Sequence, residues 1–386
     1  MLCVAIATSS GIAADSSPGK TSTLRIEPPN VSMQKEVQHA IDQGLAWLKG
    51  KQAPDGSWSS SDYPAISALV LTAYMGDPSG QYRKNEPEFI QKGYKYLFSC
   101  VQPDGGIYRK DLFNYNTSLS IMALLVAGKP EYDPILRRAC GYVISQQVDM
   151  GEKGKQDTPW DGSIGYGQNP ERHGDMSNTF IGLEALYYSS HLKPVERTDS
   201  SQELNWDAAI AFIQRCQNLP AYNKEPWASD DPQNKGGFIY CPNHSMAGSV
   251  KLPSGKTALR SYGSMSYAGL LSYIYADLKT EDPRVKAVFD WIQRNYSLDE
   301  NPGLGGDGLY YFYHTMAKAL STYGVSRLVL SDGKTVVWRE ELARKLFNLQ
   351  KPEGFWVNEN GRWWEKDPVL TTAYAVLALE HIHRGL

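Results

Sequence analysis

A chain of 386 residues that is 41% hydrophobic and 21% charged can bury a core, which excludes wholesale disorder. Its 39 Lys and Arg stand against 42 Asp and Glu, a formal net charge of -3, and so balanced a composition has no general attraction for nucleic acid. No run after the N-terminal leader approaches the roughly 18 apolar residues of a membrane span.

The N-terminus reads as a signal-like leader over residues 1–30, with a merely disordered leader as the other reading. The apolar stretch Leu2 to Ala7 is followed by small residues and a cleavage-like position after Ala13 or Ala14, as in the second half of an export signal without its basic first part. The expectation is an exported protein, periplasmic or extracellular, whose residues 31–386 form one domain. Cys3 would leave with the leader. Cys100, Cys140, Cys216 and Cys241 remain, an even set that permits disulfides in an oxidising compartment. Cys216 and Cys241 flank one long loop and are the favoured pair. Four buried free thiols are the other reading.

From Gly44 onward the chain repeats itself. GLAWLKGKQAPDGSW from Gly44, KYLFSCVQPDGGIY from Lys95, GYVISQQ from Gly141 with WDGSIGYG from Trp160, AFIQRCQ from Ala211 with KGGFIY from Lys235, FDWIQRNY from Phe289 with GLGGDGLYYF from Gly303, and KLFNLQKPEGFW from Lys345 share one plan. Each is an amphipathic helix that ends near a Gln, then a Gly-rich turn, then an aromatic. The Gln stands at 52, 102, 147, 217 and 350; the fifth unit has Tyr296 instead. Gly permits the reversal after the helix, and the Gln can satisfy helix-end groups while the aromatic covers the turn. After each aromatic comes a helix that is apolar or small on nearly every side, from Tyr63, Asn116, Asn178, Ser266, His314 and Thr371. A helix apolar all round is a buried one. The pattern predicts an all-α (α/α)6 toroid, with a straight solenoid as the competing arrangement: six charged outer helices, six buried inner ones, all inner helices pointing the same way.

QAPDGSW and QKPEGFW resemble the QW repeats of squalene–hopene and oxidosqualene cyclases, found more loosely in protein prenyltransferase β subunits and thioester domains. The resemblance runs from about Val37 to the C-terminus. It implies a terpene cyclase/prenyltransferase-like toroid with a central cavity, and it speaks to fold more than to reaction. Class II cyclases carry Asp-x-Asp-Asp-Thr at an inner-helix start, with the middle Asp as the proton donor. The matching stretch here is Asp175-Met176-Ser177-Asn178-Thr179, so the acid position holds Ser177 and only Asp175 could substitute. Prenyltransferases bind zinc through Asp-x-Cys and a His. Tyr313-His314-Thr315 resembles the His segment, but Tyr262-Gly263-Ser264 keeps neither other ligand. Thioester chemistry needs Cys-Gly-Glu-Gln, which the mature cysteines lack.

Six inner-helix N-termini at one opening bring unpaired N–H groups and positive dipole ends together, and polar or anionic groups are favoured there. The candidates are Asp175 and His314 for catalysis, and Tyr63, Asn116, Ser177, Asn178, Tyr262, Ser264, Tyr311, Tyr313 and Thr371 for binding a ligand; for Asn116, Asn178 and Thr371 the simple helix cap is the favoured reading, and for His314 a buried structural role is of equal standing. No cofactor and no metal are expected: Cys241-Pro242-Asn243-His244 with His173 has metal-like spacing of a kind that arises by chance. The expected occupant is an isoprenoid or other apolar small molecule, and a helical partner subunit is conceivable by analogy with the prenyltransferases. Two other readings stand beside this one. One is a non-catalytic toroid binding a ligand or a protein. The other is a secreted carbohydrate-active α/α barrel using Asp161, Glu171 or Asp307 as acid and base.

Overall fold

The computed structural model describes residues 30–167, 174–192 and 203–386; the leader, Glu171 and His173 lie outside them. The chain runs through successive helical hairpins. Helix α1 (Val31–Lys49) leads into α2 (Pro64–Gly76) and, after the single turn of α3 (Gln81–Lys84), α4 (Glu88–Ser99) leads into α5 (Phe113–Ala127). Then α6 (Asp133–Ser145) precedes α7 (Met176–Tyr188), α8 (Trp206–Arg215) precedes α9 (Gly263–Tyr275), α10 (Pro283–Arg294) precedes α11 (Leu309–Tyr323), and α12 (Trp338–Leu349) precedes α13 (Pro368–His383). Two short antiparallel hairpins decorate the connections, β1 (Ser249–Lys251) with β2 (Thr257–Leu259) and β3 (Leu328–Val329) with β4 (Thr335–Val336). The class remains all-α.

Burial separates the two kinds of helix. In α13 every residue from Val369 to Glu380 is buried, whereas α10 buries only Val285, Val288, Trp291 and Ile292, the stripe of a surface helix. The second helix of each hairpin therefore lies inside. These inner helices close on themselves: α2 packs on α5, α5 on α7, α7 on α9, α9 on α11, α11 on α13, and α13 on α2. The outer helices lean on them from outside, α1 and α12 on α13, α4 on α2, α6 on α5, and α8 and α10 on α9. A straight solenoid would leave its first and last units apart, so the arrangement is the toroid.

The repeated turns have a common mechanics. The Gln52 amide donates to the carbonyl of Gly56 in its own turn at 3.0 Å and to that of Phe89 in the next outer helix at 2.8 Å. Gln147 bridges Gly162 and Asn205, Gln217 bridges Gly236 and Arg284, and Gln350 bridges Gly354 and Ala40 of α1. Each of these four Gln thus ties its turn to the following unit, and the last one ties the end of the ring to its beginning. Gln102 departs, donating to Cys100 and Tyr108 of its own turn. Where the fifth unit lacks the Gln, the Tyr296 hydroxyl donates to Glu341 of the next outer helix at 3.1 Å. The aromatic after the turn packs over the helix end: the Trp58 and Trp356 indoles donate to the carbonyls of Leu48 and Leu346, each at 2.8 Å.

Apart from α2, the inner helices begin earlier than the apolar pattern suggests. α9 starts at Gly263, α11 at Leu309 and α13 at Pro368, because Asp367 caps Val369 and Pro occupies the first turn of α13, while Gly308 in left-handed conformation opens α11. Ser266, His314 and Thr371 therefore lie inside their helices, not at the tips. Among the described residues no helix is long and apolar enough to cross a membrane.

Candidate active site at the mouth of the ring

The inner-helix N-termini meet one another around the ring. Asn116 of α5 accepts from the Ala65 N–H of α2 at 3.0 Å, and Asn114 of α5 donates to the Asn178 carbonyl of α7 at 3.2 Å. The Gly263 N–H of α9 donates to the Pro302 carbonyl ahead of α11 at 2.8 Å. Glu365, just before α13, accepts from the Tyr310 and Tyr311 N–H groups of α11 at 3.2 and 2.8 Å. Trp364 packs edge-on against Tyr63, the residue before α2, at 4.6 Å, and Ser59 donates to Asp367. One face of the toroid thus gathers all six helix starts.

Asp175 caps α7. Its carboxylate accepts from the Asn178 backbone N–H and from the Asn178 side-chain amide, both at 2.9 Å, and the Tyr240 hydroxyl reaches it as well. Burial works against the charge and outweighs these donors, so the carboxyl is pushed up to about 6. Ser177 stays half-buried beside the hydroxyl of Tyr311. Asn178 is buried and held between Asp175 and Asn114.

Three tyrosines narrow the opening. The hydroxyls of Tyr115 on α5 and Tyr374 on α13 meet at 3.0 Å across α2, and the Tyr311 ring stands 5.8 Å from Tyr374. Burial pushes the Tyr115 phenol up to about 12 and those of Tyr311 and Tyr374 higher still, so all three are neutral. Tyr115, Ser177 and Tyr311 keep accessible surface, as do Met122, Lys318 and His381 deeper on their helices.

His314 lies one turn below Tyr311. It is 7% exposed, its ring stacks on Tyr374 at 5.6 Å and approaches His381 at 6.1 Å. Burial, with Lys318 and His381 nearby, holds the imidazole neutral and well below the usual histidine range. Deeper still, Lys318 of α11 reaches over α9 to Glu184 of α7, its Nζ 2.7 and 2.9 Å from the two carboxylate oxygens. The Tyr275 hydroxyl donates to the same carboxylate at 3.2 Å.

Other candidates are structural in their contacts. Thr371 donates to the Trp356 carbonyl at 2.6 Å, Ser264 is engaged with Asn301 at its N–H and hydroxyl, and Tyr262 is a buried residue at the start of α9. Tyr313 points away from the tyrosine layer, donating to the Leu298 carbonyl at 2.5 Å. Glu365, Glu184, Lys318 and Tyr374 were not among the candidates. Tyr374, Glu184 and Lys318 sit in mid-helix, where only helix orientation decides that they face the axis. For Glu365 the signal was a carboxylate in the loop before an inner helix, and it caps the neighbouring helix rather than its own.

The favoured Cys216–Cys241 bridge is not formed: Cys100, Cys140, Cys216 and Cys241 are free thiols. Burial raises the Cys216 and Cys241 thiols, the latter to about 12, so neither is a ready thiolate. Cys241 is buried while His244 is exposed. Among the described residues no three His, Cys, Asp or Glu are gathered as metal ligands. Asp161 does line a surface cleft with Asp149 and Glu203. Although its burial opposes the charge, N–H donors from Met150 and Thr158 and the Thr158 hydroxyl hold its carboxyl below the usual range. Asp307 is engaged by Arg362 and Asn360.

No family model matches the chain. Over 182 residues it is 25% identical to the probable squalene–hopene cyclase of Sinorhizobium fredii, covering 41% of this chain and 28% of that one. Over 139 residues it is 26% identical to the squalene–hopene cyclase of Bradyrhizobium diazoefficiens, covering 30% and 21%. It is 28% identical to the lanosterol synthase of Aspergillus fumigatus over 135 residues, covering 30% and 17%. The matches thus span less than a third of each relative's length. The type II terpene cyclase MstE from Scytonema, solved with geranylgeranyl dihydroxybenzoate, superposes with a TM-score of 0.54 at 10% identity over 93% of this chain and 100% of that one. An α-1,6-mannanase of Salegentibacter sp., solved with α-1,6-mannotetrose, superposes with a TM-score of 0.56 at 11% identity over 90% and 99%. At such identities these structures speak for the fold alone. The chain is a terpene cyclase-like α/α toroid, with distant sequence likeness to the triterpene cyclases.

Proposed function

We propose that the protein holds an isoprenoid or other apolar chain in the hollow of its ring, entering at the mouth where the inner helices begin. The observation that carries this is the layer of neutral tyrosines, Tyr115, Tyr311 and Tyr374, around half-buried Ser177. It offers aromatic surface interspersed with hydroxyls, the mixture that small-molecule pockets use. The likeness to the cyclases, one of them solved with a geranylgeranyl substrate, supports the same class of ligand. The reaction is unassigned. The residue in the proton-donor position is Ser177, and every hydrogen bond to Asp175 comes from a donor that favours the carboxylate form. The sugar-hydrolase reading needs two opposed carboxyls free to act on a sugar, and Asp307 is engaged by Arg362 and Asn360.

Titration of the full chain with geranylgeraniol, followed by calorimetry, tests the proposal. Saturable binding is expected, and Ser177→Trp, which fills the opening, should weaken it more than about tenfold (roughly 1.4 kcal/mol) while the protein stays folded. Absence of saturable binding, or binding indifferent to the plug, refutes it.

A further inference from the structure

Of the ten tryptophans only Trp363 and Trp364 are exposed, at 43% and 47%, and both stand in the left-handed region, with φ +52° and +66°. That backbone is unfavourable for a residue with a Cβ, and more so for two in succession. Large apolar side chains left half in water are unfavourable as well. The neighbouring contacts hold the loop in this form. Glu365, the next residue, is buried and accepts from the Tyr310 and Tyr311 N–H groups and from the Asn358 amide, the last at 2.7 Å. The Trp364 carbonyl accepts from the Asp367 N–H at 2.8 Å, and Asp367 caps α13. None of these bonds calls for an indole, and glycine would take the same turn without strain. A strained backbone that presents exposed aromatic surface points to something that covers it.

The pair lies on the rim of the mouth. Trp364 stands edge-on to Tyr63 at 4.6 Å, and Tyr63 precedes α2, across which Tyr115 and Tyr374 meet. Trp363 covers Gly308 at the start of α11, where a Cβ would lie 2.9 Å from the ring; Tyr311 follows one turn along. Arg362 sits over the Trp363 ring at 4.8 Å and is itself paired with Asp307. Aromatic surface therefore continues from the outer loop to the tyrosine layer. Resting on the proposal that an apolar chain enters at the mouth, we infer that Trp363 and Trp364 are the outer part of its binding site. The far end of the chain lies over the indoles while the near end meets the tyrosines, so the site selects long isoprenoid chains over short ones. A bilayer is the other apolar partner that such indoles suit. Asp62, Asp307 and Asp367 balance Lys110, Arg362 and Lys366 along this rim, which leaves no net attraction to anionic lipid.

The test titrates geraniol, farnesol and geranylgeraniol, each longer than the last by one isoprene unit, into the full chain and into the double variant Trp363→Gly with Trp364→Gly. Glycine suits the left-handed backbone, so the loop keeps its shape, and thermal unfolding should stay near that of the native protein. The variant is expected to lose about tenfold in affinity for geranylgeraniol, the factor for roughly 60 Å² of apolar surface left in water, and little for geraniol. Trp364→Phe should retain part of the preference for the longer chain. If the double variant does not fold, the two single glycine variants decide. An unchanged affinity for geranylgeraniol, or an equal loss for all three chain lengths, overturns the inference while leaving the mouth as a binding site. Loss of binding to isoprenoid-free phosphatidylcholine vesicles, with chain-length selectivity intact, assigns the indoles to a membrane and overturns it likewise. Saturable binding of none of the three alcohols to the native chain removes the proposal of an apolar ligand itself.

Discussion

Asp175 shows how one side chain can be cap and titratable group together. As the cap of α7 it satisfies the Asn178 N–H, the ordinary work of Asp at a helix start. As a buried carboxyl its ionisation shifts from 3.8 to about 6. Between these values the unfolded chain has released the proton that the folded chain keeps, so stability falls as pH rises through that window, by about 3 kcal/mol from this group. Asp175→Asn keeps an oxygen for the cap and has no proton to lose. The difference in unfolding free energy between native and variant proteins, measured in urea at pH 4 and pH 7, should change by about 2 kcal/mol in the variant's favour on going to pH 7, the part of the whole effect that falls inside this interval. Groups common to both proteins cancel in that comparison. A difference that does not move with pH would mean that Asp175 titrates normally.

At the scale of the element, the turn glycines carry the repeat. Gly162 has φ +88° and Gly236 φ +90°, and a Cβ on them would lie 1.9 Å from the Ala208 carbonyl oxygen and 2.0 Å from that of Ala287. Gly56, Gly105 and Gly354 stand against Lys92, Arg138 and Gln43 in the same manner. Each such glycine serves twice: it permits the left-handed turn, and it lets the next outer helix come within backbone contact. Gly162→Ala should therefore destabilise the protein by about 2–4 kcal/mol, through strained φ and overpacking combined. Gly141 offers a control inside α6, with nothing near its Cβ position; Gly141→Ala should stabilise by about 0.5–1 kcal/mol. Thermal unfolding of the two variants reads both signs. In the fifth unit Gly303 lies against Ser261 and Tyr262 instead, and that is the unit where Tyr296 replaces the Gln.

At the scale of the molecule, closure makes the ring cooperative. α13 touches α1, α2, α11 and α12, and Gln350 binds the Ala40 carbonyl of α1. Units that bury their faces only against neighbours fold as a set. Removing the last hairpin, residues 327–386, would expose the inner faces of α2 and α11 together. The shortened chain should show no cooperative unfolding transition in calorimetry; a sharp transition near the native temperature would show that five units suffice.

The linear order of residues was enough to determine the class, the count of hairpins and the division into outer and inner helices, because periodic apolarity and Gly-rich turns are local properties. It also put the inner-helix starts on one face, since helices alternating in and out must place all inner starts on one side. Other features needed the third dimension. Tyr374, Glu184 and Lys318 meet partners on helices distant in sequence. Nothing in the spacing of Cys216 and Cys241 showed that both would be buried as thiols. Such features depend on the rotation of whole helices around a closed ring, which packing of all six hairpins sets at once.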